Sequence, residues 1–463
     1  MRSFGAGLLA PLGVRTYRHL FAAQVLSLVG SGLATVALAL LAYDLAGKDA
    51  GIVLGTALAI KMIAYVTIAP VVGAFAHQFP RRGFLVCLDI GRAGIVLALP
   101  FVDQIWQVYV LVFLLQSGSA AFTPTFRATI PDVLTDEPLY TKGLSLSRIA
   151  YDLEMLLSPS IAATLLTVIS FHWLFAGTIL GFLASAALVL STSLPAAVTP
   201  ERIGGIQTRV SYGLRLFVKT PRLRGLLALH AVVAAAGAMV IVNTVVIVRM
   251  KLGGNESDVA LLMAASGVGS IIVAVMLPAM LKIWSDRTVM IAGAALLVVC
   301  LGGGASAANY AMVAVIWALI GVARSMVLTP SDRLLRRSSH SVDRPAVYAA
   351  QFALTHACWL VTYPVAGWVG ARFGLDIAFS VLAVFALASV LIAFTQWPQR
   401  DPLELDHNHD TADHEHSHMH CEHHQHEHEG WEGPEPHRHA HVHHQIRHRH
   451  EFVIDQHHPR WPI

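Results

Sequence analysis

Twelve runs of mostly apolar residues, each about the length a helix needs to cross a bilayer, constrain this chain more than any other feature. They lie near 19–44, 51–77, 84–102, 105–124, 143–169, 173–193, 224–248, 258–281, 288–307, 309–329, 346–371 and 374–396. Hydrocarbon offers no partner to an open backbone, so runs of this kind fold as helices. Of the 463 residues only 13% are charged, about half the share of a soluble domain. A soluble enzyme is excluded, and the expected fold is an all-α integral membrane protein. No nucleophile–base constellation and no GxxxxGK[ST] phosphate loop stands out. Any transport must therefore draw on an ion gradient, most simply of protons.

Charge divides the chain. Residues 1–396 hold 27 basic and 16 acidic residues, whereas 397–463 hold 5 basic and 13 acidic. The basic residues sit in short loops between apolar runs, which points to a bilayer and away from nucleic acid. With the N-terminus cytoplasmic, that side carries 19 Lys and Arg and the opposite side only Lys48, Arg249, Lys251 and Arg372. The positive-inside rule then places both termini in the cytoplasm, in a multi-pass protein of the cytoplasmic membrane. The first apolar run lacks a small-residue cleavage site and reads as a retained helix. The four cysteines are too scattered for a disulfide framework.

A basic stretch separates the spans six and six, giving an N-terminal half (1–194), a linker (195–223), a C-terminal half (224–396) and a tail (397–463). A faint repeat relates the halves at an offset of 205–206 residues. Thr123-Pro-Thr-Phe-Arg127 closes the fourth span and Thr329-Pro-Ser-Asp-Arg333 the tenth; Pro159 answers Pro364, and Arg82 answers Arg287. Duplicated six-helix halves flank a midplane site in secondary transporters.

At this point the sequence resembles the major facilitator superfamily over residues 10–396. The stretch from Gly73 to Arg82 is similar to that superfamily's GxLaDRxGRR loop, with His77, Gln78 and Pro80 in place of Asp, Arg and Gly. Arg81 and Arg82 remain able to reach a carboxylate or a lipid headgroup. Asp89 and Arg92 stand where the family commonly places a charged pair. The fifth span, at Ser158-Pro-Ser-Ile-Ala-Ala163, resembles the antiporter motif Gly-Pro-x-x-Gly-Gly with small residues replacing the glycines, which preserves close helix approach. The opening Arg15–Gln24 and the tail resemble the nickel- and cobalt-resistance exporters with a histidine-rich C-terminus (NreB-like). The resemblance implies two pseudo-symmetric six-helix halves working by alternating access.

Nineteen of the 25 histidines fall within 407–458. They come as His407, His409, His414, His416, His418 and His420, then His423, His424, His426 and His428. After a Gly/Pro-bearing break follow His437, His439, His441, His443, His444, His448 and His450, with His457 and His458 beyond. Imidazole suits Ni²⁺, Co²⁺, Zn²⁺ and Cu²⁺, and one thiol (Cys421) and one thioether (Met419) make a Cu(I) tail improbable. The composition lacks apolar periodicity, so the tail is expected to be disordered without ligand. A purely solvating tail is the alternative.

Ionisable residues inside spans are candidates for an ion path. On the fifth span Ser147, Tyr151, Glu154 and Ser158 share one helical stripe, with Glu154 near the midplane. Glu154 reads as a metal ligand or proton-coupling carboxylate, or else as a bonded residue joining the halves. Asp152 reads chiefly as the i, i+4 partner of Arg148. The repeat sets His356 opposite Tyr151, so two related helices would offer a carboxylate and an imidazole. His230 and Asn243 on the seventh span are further pathway candidates, His230 also being readable as an ordinary hydrogen-bonded core residue. Lys61 and Arg324 are expected to be carboxylate-paired or to snorkel, and Cys358 to pack.

The expectation is a monomeric antiporter without a tightly bound cofactor, exporting Ni²⁺ or Co²⁺ against protons, with Ni²⁺, Co²⁺ or Zn²⁺ as tail ligand. The rivals are an exporter of a small organic molecule or siderophore with a metal-buffering tail, and a non-transporting metal receptor.

Overall fold

The computed structural model describes residues 7–46, 50–196, 205–399, 401, 404–409, 412–418, 437–443, 446–454 and 461. Six long helices form the first half: α1 (Arg15–Ala46), α2 (Ala50–Phe75), α3 (Arg81–Ala98), α4 (Ile105–Val133), α5 (Glu137–Leu166) and α6 (His172–Leu190). A shorter helix, α7 (Ile206–Lys219), follows. The second half comprises α8 (Pro221–Val246), α9 (Glu256–Met280), α10 (Asp286–Ala305), α11 (Tyr310–Leu328), the short α12 (Ser331–Arg337), α13 (Arg344–Phe373) and α14 (Leu375–Gln396). Among the described residues, eleven of these helices are long and apolar enough to cross a membrane. The other long helix is α13, where the eleventh run was expected; its 30 residues include Gln351, Thr355, His356, Thr362 and Tyr363, which dilute its apolar character. Trp106, Trp173, Trp284 and Trp368 stay exposed near helix ends, the level at which indole rings meet headgroups.

Local chemistry sets the boundaries. Asp136 caps α5 by accepting from the Leu139 amide, so that helix starts six residues ahead of the expected 143. Ser285 and Asn309 cap α10 and α11 in the same way. Pro124 did not end the fourth span: α4 runs on to Val133 with Pro124 and Pro131 inside it, as neighbouring helices allow in membranes. Gly374, between α13 and α14, has φ +96°, a backbone state that side chains disfavour.

The two halves repeat one packing scheme. In the first, α1 lies against α6 and α5, α2 against α4, and α3 against α4 and α6. In the second, α8 lies against α14 and α13, α9 against α11, and α10 against α11 and α14. Counting the six long helices of each half in order, these are the same five pairings. The halves meet where α2 packs on α13 and α5 on α9. At Gly73 a side chain would strike Ala349 of α13, so the glycine sets how closely α2 approaches.

Two segments depart from expectation. The linker holds the amphipathic helix α7, which packs on both α2 and α13 and so bridges the halves. The tail, expected to be disordered, contains strands β1 (Glu404–His409), β2 (Ala412–His418), β3 (His437–His443) and β4 (Ile446–Glu451). β1 pairs antiparallel with β4 and β2 with β3, as a nested ribbon. The alternating His-x-His pattern has the period of a strand, so polarity did not exclude a ladder. Beyond it Phe452, Val453 and Ile454 are buried, Phe452 and Ile454 joining the apolar core of the second half.

Candidate functional site

Polar side chains join the halves at one end of the bundle, the end shared by the α2–α3, α4–α5 and α11–α13 connections. Arg127 of α4 donates from Nε to Asp332 Oδ2 (3.1 Å) and pairs again through a second nitrogen. Its third nitrogen donates to Gln351 Oε1 (3.2 Å). Asp132 is held between Arg81 and Arg344, one from each half. Arg333 binds Glu137 (2.6 Å), Asp286 (3.0 Å) and Thr141. Buried Tyr140 and Tyr348 share a hydrogen bond of 3.1 Å across the seam, and Tyr348 donates to the Asp332 carbonyl. Bidentate arginine–carboxylate pairs are strong and directional. This end is latched.

Nearer the middle the polar groups are less completely paired. Ser147 donates to Gln24 of α1 (3.0 Å). Tyr151 is 37% exposed while its electrostatic neighbours, Gln24, Arg127, Asp332 and Tyr65, come from both halves, so it faces the space between them. Glu154 is half-buried beside Gly32 of α1. Among the described residues its carboxylate makes no hydrogen bond or ion pair; the charge it feels is Lys61 of α2. Ser158 Oγ is buried with no hydrogen-bond partner. His356 of α13 also feels Lys61. Its Nδ1 donates to the Phe352 carbonyl (2.7 Å), and Tyr65 meets its ring edge-on at 4.6 Å. That bond leaves Nε2 with its lone pair, as in histidines whose other nitrogen is fixed by a carbonyl.

Asp152 is buried and bound to Arg148, with Ser270 of α9 donating to it. Arg324 lies close enough to feel both Arg148 and Asp152, and its Nε has no partner. Arg324 was expected to be carboxylate-paired or to snorkel; the carboxylate near it, Asp152, is taken by Arg148. Lys61 sits over Tyr65, 5.6 Å from the ring centre.

The other sequence candidates lie elsewhere. His230 is buried in the latch, its Nε2 beside Ser331 Oγ (3.2 Å) and Gln351 Nε2 (3.4 Å). Asn243 is buried and donates to the Ala366 carbonyl (3.1 Å), tying α8 to α13. Asp89 and Arg92 form a buried pair inside the first half, with Ser185 donating to Asp89 and Arg92 between the rings of Phe122 and Phe182. Arg82 donates weakly to the Thr192 carbonyl (3.4 Å). Among the tail histidines, 407 and 409 fall on β1, 414, 416 and 418 on β2, 437, 439, 441 and 443 on β3, and 448 and 450 on β4. His420, His423, His424, His426, His428 and His444 lie outside the described residues. Among the described residues no three of His, Cys, Asp and Glu are grouped closely enough to hold an ion.

Sequence reasoning allowed Arg81 a carboxylate partner, which proves to be Asp132, but counted Arg127, Arg333 and Arg344 only as charges on one side and did not single out Asp132, Asp286, Asp332 or Gln351. The available signal was acidic residues on the arginine-rich side, at the ends of repeat-related spans.

Two similarly packed six-helix halves, joined at one end and enclosing polar groups, define a secondary transporter that works by alternating access. The sequence profile of the Major Facilitator Superfamily matches residues 20–252 and 227–434, and the chain belongs to that family. It is therefore a multi-pass transporter and not an enzyme. An uncharacterized MFS-type transporter of Bacillus subtilis, YfiS, is 24% identical over 336 residues, 71% of this chain and 80% of that protein. Macrolide efflux protein A of Streptococcus pyogenes is 25% identical over 181 residues, 38% of this chain and 44% of that one. A crystal structure of a bacterial homologue of the iron transporter ferroportin, in an outward-facing state with soaked iron, superposes with TM-score 0.68 at 12% identity, covering 82% of this chain and 98% of that one. The human organic anion transporter MFSD10 gives 0.68 at 12% identity over 82% and 99%.

Proposed function

We propose that the protein exports divalent transition-metal ions, Ni²⁺ or Co²⁺, from the cytoplasm in exchange for protons. The observation that carries the reading is the concentration of 19 of 25 histidines in residues 407–458. The excess of Lys and Arg on the latched side supports a cytoplasmic location for that end. The latched arrangement is then the outward-facing one, with α13 as a twelfth span. Glu154, half-buried beside Gly32 and without an ion pair among the described residues, is the carboxylate that exchanges a proton for a cation, and His356, which feels the same Lys61 from the other half, is the imidazole. The tail gathers ions by tethering weak sites near the mouth.

A second reading, export of an organic solute with the tail as a metal buffer, is favoured by one observation. Lys61 and the unpartnered Arg324 add positive charge to the centre, where a cation must pass. Flux in proteoliposomes separates the two. Reconstituted full-length protein should move Ni²⁺ when a proton gradient is imposed. Truncation after Arg400 should retain that flux, and Glu154→Gln should abolish it. Absence of Ni²⁺ and Co²⁺ flux from correctly inserted full-length protein would overturn the metal reading.

A further inference from the structure

The tail returns to where it leaves. Arg222, buried near the start of α8, donates to Asp401 Oδ1 (3.2 Å) at the tail's beginning and to the Phe452 carbonyl (3.1 Å) at its end. The Trp461 ring lies 4.8 Å from the same guanidinium and 5.2 Å from the Phe452 ring. Ile454 lies beside Tyr212, Leu216 and Lys219 of α7. We infer that the C-terminal end of the tail is a docked anchor that closes the histidine-rich segment into a loop pinned at Arg222, and that divalent-ion binding to this loop and anchor docking reinforce each other and favour the latched conformation. The inference rests on the reading of the tail as a divalent-ion ligand.

Register supplies the first half of the coupling. The ribbon sets His407 opposite His448, His414 opposite His441, His416 opposite His439, and His418 opposite His437. Three of these opposed His–His backbone positions lie in the β2–β3 pair and one in the β1–β4 pair, a register suited to ions that take imidazole from both strands. An ion held across the ladder requires its strands side by side. Docking makes the same demand, since Asp401 and Phe452 flank the outer pair Glu404–Glu451 and both reach one guanidinium. Whichever event comes first meets the loop-closure cost for the other.

Contact with the latch supplies the second half. Arg222 also donates to Ser338 Oγ (2.8 Å) and to the Arg337 carbonyl (3.1 Å), at the end of α12. Arg337 binds Asp286, Asp286 binds Arg333, and Arg333 binds Glu137 of the other half. Helix α7, against which Ile454 rests, bridges α2 and α13, and Gly213 of α7 leaves no room for a side chain against Ala346. The anchor thus touches the latch by two routes.

Linkage is reciprocal, so releasing the anchor must weaken ion binding by the factor with which ions strengthen docking. The test uses purified full-length protein, Ni²⁺ titration calorimetry and hydrogen–deuterium exchange. The expected result in wild type is slow exchange at 452–454 without metal, slowed further by Ni²⁺ together with residues 331–338. Arg222→Lys, and separately Phe452→Ala with Trp461→Ala, should speed exchange at 452–454. Both should weaken Ni²⁺ binding about five-fold or more with the number of bound ions unchanged. Fast exchange at 452–454 in wild type would overturn the anchor. Unchanged affinity in both variants despite a released anchor would overturn the coupling. A full-length chain that takes up no Ni²⁺ would overturn the tail reading itself, and slow metal-free exchange at 452–454 identifies that case.

Discussion

The latched end and the middle of the bundle use the same residue types to different effect. At the latch, Asp132 and Asp286 are each shared between two arginines, and Asp332 takes Arg127 across the seam. In the middle, Glu154 has no ion pair among the described residues, Ser158 Oγ and Arg324 Nε have no partner, and Tyr151 opens onto the space between the halves. Paired charges hold one conformation. Unpaired ones keep a capacity to bind. On the proposed function, stability and turnover fall in separate layers of this molecule, and substitutions can test that separation.

The largest effect is expected from Glu154→Gln, which should reduce flux more than ten-fold while leaving the melting temperature within a degree or two of wild type, since among the described residues it breaks no hydrogen bond or ion pair. A large loss of thermal stability would break the comparison. Next, Asp332→Asn should leave Arg127 partly buried without its carboxylate, costing the latched conformation about 3 kcal/mol. A thiol probe introduced on the latched side should then react faster, and the Arg127/Asp332 double-mutant cycle should show coupling well above 0.5 kcal/mol. Gly32→Ala places a methyl group on Ser158 and 2.9 Å from Glu154 Oε1. Overpacking of this kind costs about 1–3 kcal/mol, and Glu154 must shift, so flux should drop several-fold with a modest loss of stability. Tyr348→Phe removes the hydroxyl bonds to Tyr140 and the Asp332 carbonyl and should cost about 1 kcal/mol. Arg82→Ala, which removes one long hydrogen bond to the Thr192 carbonyl, should change stability by less than about 0.5 kcal/mol. An Arg82 effect as large as that of Asp332 would show that the latch extends beyond the seam.

Much of the fold was legible because burial in lipid writes itself into composition. Eleven of the span positions and the i, i+4 pairing of Arg148 with Asp152 follow from local pattern. Partners across the seam were not legible. Whether Asp132 meets Arg81 and Arg344 depends on which loops come together, and no local period records that. His230 was readable as a pathway group or as a hydrogen-bonded core residue, and Asn243 as a pathway group, because a polar residue in an apolar run is conspicuous; whether it reaches a cavity or a bonding partner is decided by its neighbours. The tail was read through its histidines, so the apolar triplet Phe452-Val453-Ile454, which marks its return to the body, passed unread. The strands were missed for a related reason: composition spoke for disorder, while the alternation suited a ladder.

Tyr140 and Tyr348 lie 208 residues apart in sequence, Arg127 and Asp332 lie 205 apart, and the repeat itself has an offset of 205–206. Both contacts therefore join nearby but not equivalent positions of the two halves: where Thr123–Arg127 answers Thr329–Arg333, the counterpart of Arg127 is Arg333 and that of Asp332 is Phe126. A guanidinium cannot bond its own counterpart, having only donors and a fixed positive charge. Each of the two related arginines instead reaches a carboxylate of the other half, Arg127 to Asp332 and Arg333 to Glu137. The repeat thus supplies two clasps that close from opposite sides, and opening the molecule means undoing both.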